Sequence, residues 1–361
     1  MNEFAFMIHP LDMNDIHRKF PFAKVMPNKL VEKAMSLCPP LYVSEITGIA
    51  SKYKETGGHF VACPLTARQM VELPEKFVLN KIIQAGKYAE KLGVKVLGLG
   101  AMTSVVGDAG ITIANNLNIP VTTGNSYTVF TALEGMKKAA EMVGIDWQRS
   151  EVAIIGATGS IGSVCARMLA KECKYLTLTA RDETKLEKLA GQIYYEDGLS
   201  VRISTQIQKT IGQADIVLAV SSAVTDIINP KNLKTGTIVC DVARPRSVSQ
   251  TISQERDDVL VIEGGLIELP GDVNFNFNFG YPPKLALACM AETILLALEN
   301  LWEPYTLGRN LTIDQVKKIG QIAQKHGFKL AGFRSFERPV NEEIIRRVRS
   351  FRIKNQNSQA I

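Results

Sequence analysis

The sequence predicts an α/β fold centred on a doubly wound parallel sheet. Three observations predict it. Short strand-like runs, such as 152–155, 175–179 and 216–219, alternate with helical patterns, as buried parallel strands do. The run 152–155 ends in Gly156-Ala157-Thr158-Gly159-Ser160-Ile161-Gly162 and passes straight into a helical pattern. The run 175–179 follows that helix, giving strand, glycine turn, helix and strand in the order of a nucleotide-binding unit.

The remaining elements follow in chain order. Residues 1–145 read as an α/β substrate domain, with strands at 4–9, 58–65, 94–99 and 119–123 and helices at 74–92 and 109–117. A helix at 128–143 stops at Gly144, in keeping with glycine past a helix end. Residues 146–269 read as a Rossmann-like domain with six strands, 152–155, 175–179, 201–204, 216–219, 237–241 and 259–262. Residues 270–361 read as a mainly helical C-terminal part. It opens with a strictly alternating stretch, 273–279, expected to be a strand with an Asn face and a Phe face. Gly280-Tyr281-Pro282-Pro283 breaks that strand, and a helix is expected over 284–301.

Composition narrows the function. The chain has 361 residues, 46% hydrophobic and 22% charged, which suits a protein with large cores. The most apolar stretch, 285–301, is broken by Glu292 and Glu299, so no membrane span is expected. The opening MNEFAFMIHPLD has no basic segment before an apolar one, and six scattered cysteines show no paired spacing. A cytoplasmic chain with free thiols is expected. No His/Cys cluster suggests a metal, and no motif suggests nucleic acid. Arg346, Arg347, Arg349, Arg352 and Lys354 make the C-terminus basic, either as a dock for an acidic partner or as a solvated helix end.

The glycine turn assigns a cofactor. Gly156 allows the tight turn, Gly159 lets backbone N–H groups near a pyrophosphate, and Gly162 allows close helix packing. Thr158, Ser160 and Ile161 belong to the same loop and helix start, where the helix field favours phosphate. Thr179-Ala180-Arg181 stands where an acidic residue would hold the ribose of NAD. Arg181 can pair with a 2′-phosphate and Thr179 can hydrogen-bond it, so NADPH is the expected cofactor. Asp182 reads as the N-cap of the next helix. Ser221-Ser222 and Cys240-Asp241 end two further strands and are expected near the cofactor.

A nicotinamide hydride can reduce an acyl group held on a thiol, so the cysteines matter. Cys38, Cys63, Cys165 and Cys173 read as structural. Cys240 ends a strand. Cys289 lies within the helix expected at 284–301, more than a turn from its start, where the helix field would not activate it. Thr123, Asn125, Ser126 and Tyr127 follow a strand end, and Ser126 and Tyr127 are offered as donors to a developing oxyanion, or as a helix cap. No histidine stands out as a base for Cys289.

The segments GATGSIGSVCARMLA, LTLTAR, CDVARP and FGYPPKLALACMAET resemble the long-chain acyl-acyl carrier protein reductases of cyanobacterial type. GLGAMTSVVGDAG and TTGNSYTV extend the likeness into the first domain. The resemblance implies that Cys289, within ACMAET, is the nucleophile. It implies NADPH as reductant, a fatty acyl chain on acyl carrier protein as substrate and fatty aldehyde as product. It also implies a partner, the aldehyde-deformylating oxygenase that turns the aldehyde into alkane. Two other readings compete: a shikimate-dehydrogenase-like or glutamyl-tRNA-reductase-like oxidoreductase, and a non-catalytic NADP(H)-binding protein.

Overall fold

The computed structural model describes residues 2–359 apart from 224, 244, 250 and 337. The chain forms two compact units: Met1–Tyr127 with Ile267–Lys329, and Thr128–Leu266 with Leu330–Ile361. The divisions therefore fall at 127/128, 266/267 and 329/330, where the sequence suggests 145/146 and 269/270.

The first unit opens with β1 (Asn2–Ile8), α1 (Met13–Lys19), a 3₁₀ turn (Pro21–Val25) and α2 (Asn28–Leu37). The hairpin β2 (Leu41–Ala50) and β3 (Glu55–Ala62) follows, then α3 (Ala67–Glu72) and α4 (Glu75–Lys91). Next come β4 (Val96–Leu99), α5 (Ile111–Ala114) and β5 (Val121–Thr122). Local chemistry sets these boundaries. The Asp12 carboxylate accepts the Asn14 and Asp15 N–H groups at the start of α1, and Thr66 with Gln69 forms a capping box on α3. Val78, Ile82, Ala85 and Ala89 give α4 its one buried face. α6 (Asn125–Val143) then carries the chain into the second unit.

The second unit holds β6 (Glu151–Ile155), α7 (Ser160–Leu169), β7 (Tyr175–Thr179), α8 (Glu183–Asp197), β8 (Arg202–Ser204) and α9 (Ile207–Ile211). It continues with β9 (Ile216–Ala219), β10 (Ile238–Asp241), α10 (Ile252–Glu255) and β11 (Leu260–Glu263). The strands lie in the order β11-β10-β9-β6-β7-β8, every neighbouring pair parallel. This is the doubly wound order, with its reversal between β6 and β9. Three fully buried strands, β9, β10 and β11, and the buried part of β6 explain why their sequences are nearly continuous apolar runs.

The chain returns through β12 (Leu266–Glu268) to β13 (Gly271–Asn274), β14 (Leu285–Leu287), α11 (Ala288–Leu298) and α12 (Ile313–His326). In the first unit's sheet the order is β13-β2-β3-β1-β4-β5. β1 pairs parallel with β3 and β4, while β2 and β13 are antiparallel additions. Finally α13 (Glu342–Gln359) belongs to the second unit.

Two expectations for the C-terminal part need correction. The alternating stretch 273–279 is a strand only through Asn274. Side-chain acceptors then take over the backbone: Asn274 accepts the Asn276 N–H and Asn278 accepts the Gly280 N–H, both at 2.9 Å. Asn276 sits in the left-handed region, at φ +48°. The turns gather Phe275, Phe277 and Phe279 around Phe60, with ring centroids 5.7–6.2 Å from it. The helix expected at 284–301 begins at Ala288, because Lys284 has φ +68° and Leu285–Leu287 is extended. The segment is also less helical than expected, and part of it completes the first unit's sheet.

The basic C-terminus is partly engaged within its own unit. Arg352 bonds Asp215 at 3.0 Å and Arg347 bonds Glu343 at 2.9 Å. No helix among the described residues is long and apolar enough to cross a membrane.

Candidate active site

α11 is apolar apart from Glu292 and Thr293, and all its residues are buried except Cys289. A helix buried all round belongs to a core, and here it lies on the first unit's sheet. Gly98 of β4 makes room for it: a Cβ there would collide with the Thr293 hydroxyl. Gly124 does the same at the start of the helix. Its φ is +75°, and a Cβ on it would collide with the Cys289 backbone. The turn after β5 therefore presses directly on Cys289.

The position of Cys289 differs from the expectation. It is the second residue of α11, not a residue beyond the first turn. The late helix start puts its sulfur in the positive field of the N-terminus, where an anion is favoured. The other cysteines lack this setting. Burial pushes the Cys63 and Cys173 thiols up to about 12, and the Cys165 thiol up as well. Cys240 is fully buried beside Gly264. Cys38 has some exposure but is the C-cap of α2, at the negative end of that helix.

One turn along α11, the fully buried Glu292 is the hub of the site. Its Oε1 accepts the hydroxyls of Thr122 at 2.5 Å and Thr306 at 2.8 Å. Its Oε2 accepts the Ser126 hydroxyl at 2.5 Å and the Tyr127 N–H at 2.9 Å. The Thr306 N–H donates to Thr122 Oγ1 at 3.2 Å, and Thr306 O accepts the Thr123 N–H at 2.9 Å. Four donors satisfy a carboxylate that burial would otherwise penalise. Glu292 thus clips together the β5–α6 turn, α11 and the 306 segment. Sequence reasoning missed it. The only signal was a lone acidic residue inside an apolar run.

Ser126 and Tyr127, offered as oxyanion donors, both belong to this network. The Ser126 hydroxyl and the Tyr127 N–H both point to Glu292. The Tyr127 side chain is 2% exposed, and burial raises its pKa. Thr123 lies on the other face of the sheet. Gly98 pairs with Thr122 on the α11 side, and the next residue turns away. Its methyl group lies toward Gly110.

Two of the four histidines are held elsewhere in the first unit. His9 Nε2 accepts the Met102 N–H at 3.0 Å and its Nδ1 donates to Pro10 O at 2.9 Å. Burial lowers its pKa to about 4. His326 lies between Ser51 Oγ at 2.8 Å and Glu299 Oε1 at 2.6 Å.

In the second unit the glycine turn forms a cradle that side chains would fill. Gly156 has φ +90°, and a Cβ on it would stand 3.0 Å from the Ser221 backbone. A Cβ on Gly162 would collide with Gly156 O. Gly159 is the N-cap of α7, with no side chain capping the helix, and is exposed beside the half-buried Thr158, Ser160 and Ile161. The backbone at a bare helix start and the absence of Cβ atoms fit a pyrophosphate. Arg181 is exposed just after β7 and forms no ion pair with the described residues. Asp182 caps α8 by accepting the Lys185 N–H at 3.1 Å.

Thr179 departs from expectation. It is fully buried, its hydroxyl meets Thr210 Oγ1 at 3.4 Å, and its carbonyl holds the N–H groups of Gly156 and Ala157. It shapes the turn from behind rather than offering a hydroxyl to a phosphate. Ser221 caps its own loop through the Ala223 N–H at 3.2 Å, while Ser222 is exposed. Asp241 is buried and collects the N–H groups of Ala243, Ser247 and Val248, so it organises a loop.

The shikimate/quinate 5-dehydrogenase family matches residues 137–263, nearly the whole of the nucleotide-type sheet. The chain is 30% identical over 286 residues to the aminotransferase PigE of a Serratia strain, covering 78% of this chain and 33% of that protein. It thus spans about a third of PigE's length. It is 27% identical over 309 residues to the long-chain acyl-[acyl-carrier-protein] reductase of Synechococcus elongatus, covering 81% of this chain and 88% of that one. Among solved structures, L-tryptophan dehydrogenase from Nostoc punctiforme aligns over 99% of this chain and 89% of that one, at 15% identity and TM-score 0.42. Quinate dehydrogenase from Corynebacterium glutamicum aligns over 72% of this chain and 87% of that one, at 14% identity and TM-score 0.34. The chain carries the NAD(P)-binding domain of an oxidoreductase and is a distant relative of the acyl-[acyl-carrier-protein] reductase.

Proposed function

We propose that the protein reduces long-chain fatty acyl groups, delivered as thioesters on acyl carrier protein, to fatty aldehydes, with NADPH as reductant. The observation that carries this reading is Cys289, the one residue of α11 that is not buried, held in the helix's first turn against Gly124. The distant relationship to the Synechococcus reductase over most of both chains supports it.

Cys289 attacks the thioester carbonyl as thiolate. The bond to the carrier's sulfur breaks and the carrier departs as its thiol, leaving the acyl group on Cys289. The field at the start of α11 stabilises the thiolate before attack and again when it leaves. Glu292 keeps the turn carrying Gly124 in place through Ser126, Tyr127 and Thr122. In the second unit, the Gly156–Gly162 turn and the start of α7 would hold the pyrophosphate of the cofactor, and Arg181 its 2′-phosphate. When bound, the reduced cofactor supplies the hydride. Cys289 leaves the reduced acyl carbon as thiolate, freeing the aldehyde. A cytoplasmic setting and an aldehyde-deformylating oxygenase that consumes the product belong to the same proposal.

Mass spectrometry tests it. The protein is incubated with palmitoyl-acyl carrier protein and no NADPH. A palmitoyl adduct on Cys289 that is discharged as hexadecanal on adding NADPH is the expected result. Aldehyde formation with no adduct on any cysteine would sink the covalent route. Neither adduct nor aldehyde would favour a reductase that uses no thiol.

A further inference from the structure

Residues 13–37 form a helical flap with a small core of its own. Ile16, Ala23 and Val31 are buried there, with Met13, Phe20 and Met35 packed against them. The outer side of this flap is apolar. Phe22 is 70% exposed and Val25 89%; three apart on a 3₁₀ turn, they share a face. On α2, Leu30 (51% exposed) and Leu37 (74%) fall seven apart with exposed Ala34 between them, forming a stripe beside the inward-facing Val31 and Met35. Side chains this large and this exposed, gathered on one short segment, mark an interaction surface.

Charge identifies the partner. Lys19, Lys24, Lys29 and Lys33 are all exposed within the same segment. Of the two acidic residues in 13–37, Asp15 accepts the Leu11 N–H at 2.9 Å and lies 3.8 Å from Arg18, and Glu32 is buried and paired with Arg68 at 2.5 Å. The flap therefore presents protruding apolar chains beside four exposed lysines that form no ion pair with the described residues, Lys19 lying 5.4 Å from the Phe277 ring centroid. We infer that this face docks on an anionic lipid bilayer, with Phe22, Val25, Leu30 and Leu37 entering the headgroup boundary and the lysines meeting the lipid phosphates. A bilayer takes both apolar insertion and positive charge without shape matching. This inference stands independently of the reaction proposed above.

The test is co-sedimentation of the full-length protein with vesicles, comparing phosphatidylcholine alone with phosphatidylcholine mixed with phosphatidylglycerol. The variant carries Val25→Asp and Leu37→Asp, both at exposed positions. Circular dichroism verifies its fold. The expected result is binding to the anionic vesicles that weakens in high salt and falls at least about tenfold in the variant. Failure of the wild-type protein to bind anionic vesicles would overturn the inference, as would equal binding by the variant. So would a wild-type dimer that the variant abolishes without any vesicle binding, which would make the face a self-association surface. Loss of acyl carrier protein binding in the variant, again without vesicle binding, would make it a protein dock instead.

Discussion

The Ser126 hydroxyl donates to the Glu292 carboxylate across 2.5 Å, joining two fully buried side chains 166 residues apart in the chain. The bond fixes the first turn of α6 to α11, one helical turn from Cys289. A buried carboxylate with four donors is stable in place, and removing one oxygen acceptor leaves donors that water cannot reach.

Glu292→Gln is expected to destabilise the protein by about 1–3 kcal/mol. One carboxylate oxygen becomes an NH₂ group, and whichever side it takes faces protons. The Tyr127 N–H cannot rotate to accept, unlike the hydroxyls. In acyl-thioester reduction kcat should fall while KM changes little, because Glu292 positions Cys289 and does not meet the substrate. A rise in KM with kcat unchanged would argue against a positioning role. Urea unfolding and steady-state kinetics measure the two effects.

Cys289→Ser is expected to abolish thioester turnover and leave NADPH binding intact. Cys38→Ser should change neither by more than about twofold, being a solvent-side substitution. The two partly exposed cysteines thus separate by helix end, one at the start of α11 and one at the end of α2. Iodoacetamide labelling followed by peptide mapping should modify Cys289 faster than Cys38, and the reverse order would remove the argument from the helix field.

Arg181→Ala should raise KM for NADPH by about tenfold or more and leave KM for NADH nearly unchanged. A charge-assisted bond to phosphate is worth about 1.5–3 kcal/mol. Thr179→Val should hardly alter the NADPH preference, since that hydroxyl is turned into the domain toward Thr210. Parallel titrations with the two nucleotides distinguish these outcomes, and equal effects of Arg181→Ala on both would refute the role.

His9 makes the fold sensitive to mild acid. Burial holds its folded-state pKa at about 4, below the ordinary histidine value of about 6.5. Above about pH 6.5 both folded and unfolded states carry a neutral ring, and stability is full. As pH falls toward 4 the unfolded state takes up the proton first, costing about 1.4 kcal/mol per pH unit, or about 3 kcal/mol in all. Urea midpoints measured between pH 7 and 4 should fall in the wild-type protein and fall less in His9→Asn. Identical slopes would show that other groups set the acid limit.

Legibility followed sequence distance. The turn from Gly156 to Gly162 could be read because its glycines, strand and helix lie within some twenty consecutive residues: Gly156 has a positive φ, and a Cβ on Gly159 or Gly162 would meet Gly156 O, although the approach of Gly156 to Ser221 lies outside that stretch. The Asp182 cap was readable for the same reason. The burial of Thr179 against Thr210 could not be read, because a strand-end hydroxyl looks alike from sequence whether it faces a ligand or a neighbour. The start of α11 was misplaced because Pro282-Pro283 resembles a helix opening, and only the positive φ of Lys284 defers the helix to Ala288.

By itself the sequence determined the doubly wound sheet and its nucleotide turn, because parallel strands buried on both faces must be apolar runs and the turn must be glycine. It also singled out Cys289, through resemblance. Only the tertiary structure decided what surrounds that cysteine. Gly124, Ser126, Glu292 and Thr306 come from three separated segments, and their meeting depends on which strand neighbours which and on where a helix begins. Local propensity carries no record of such pairings. They are fixed when burial forces one carboxylate to find its donors.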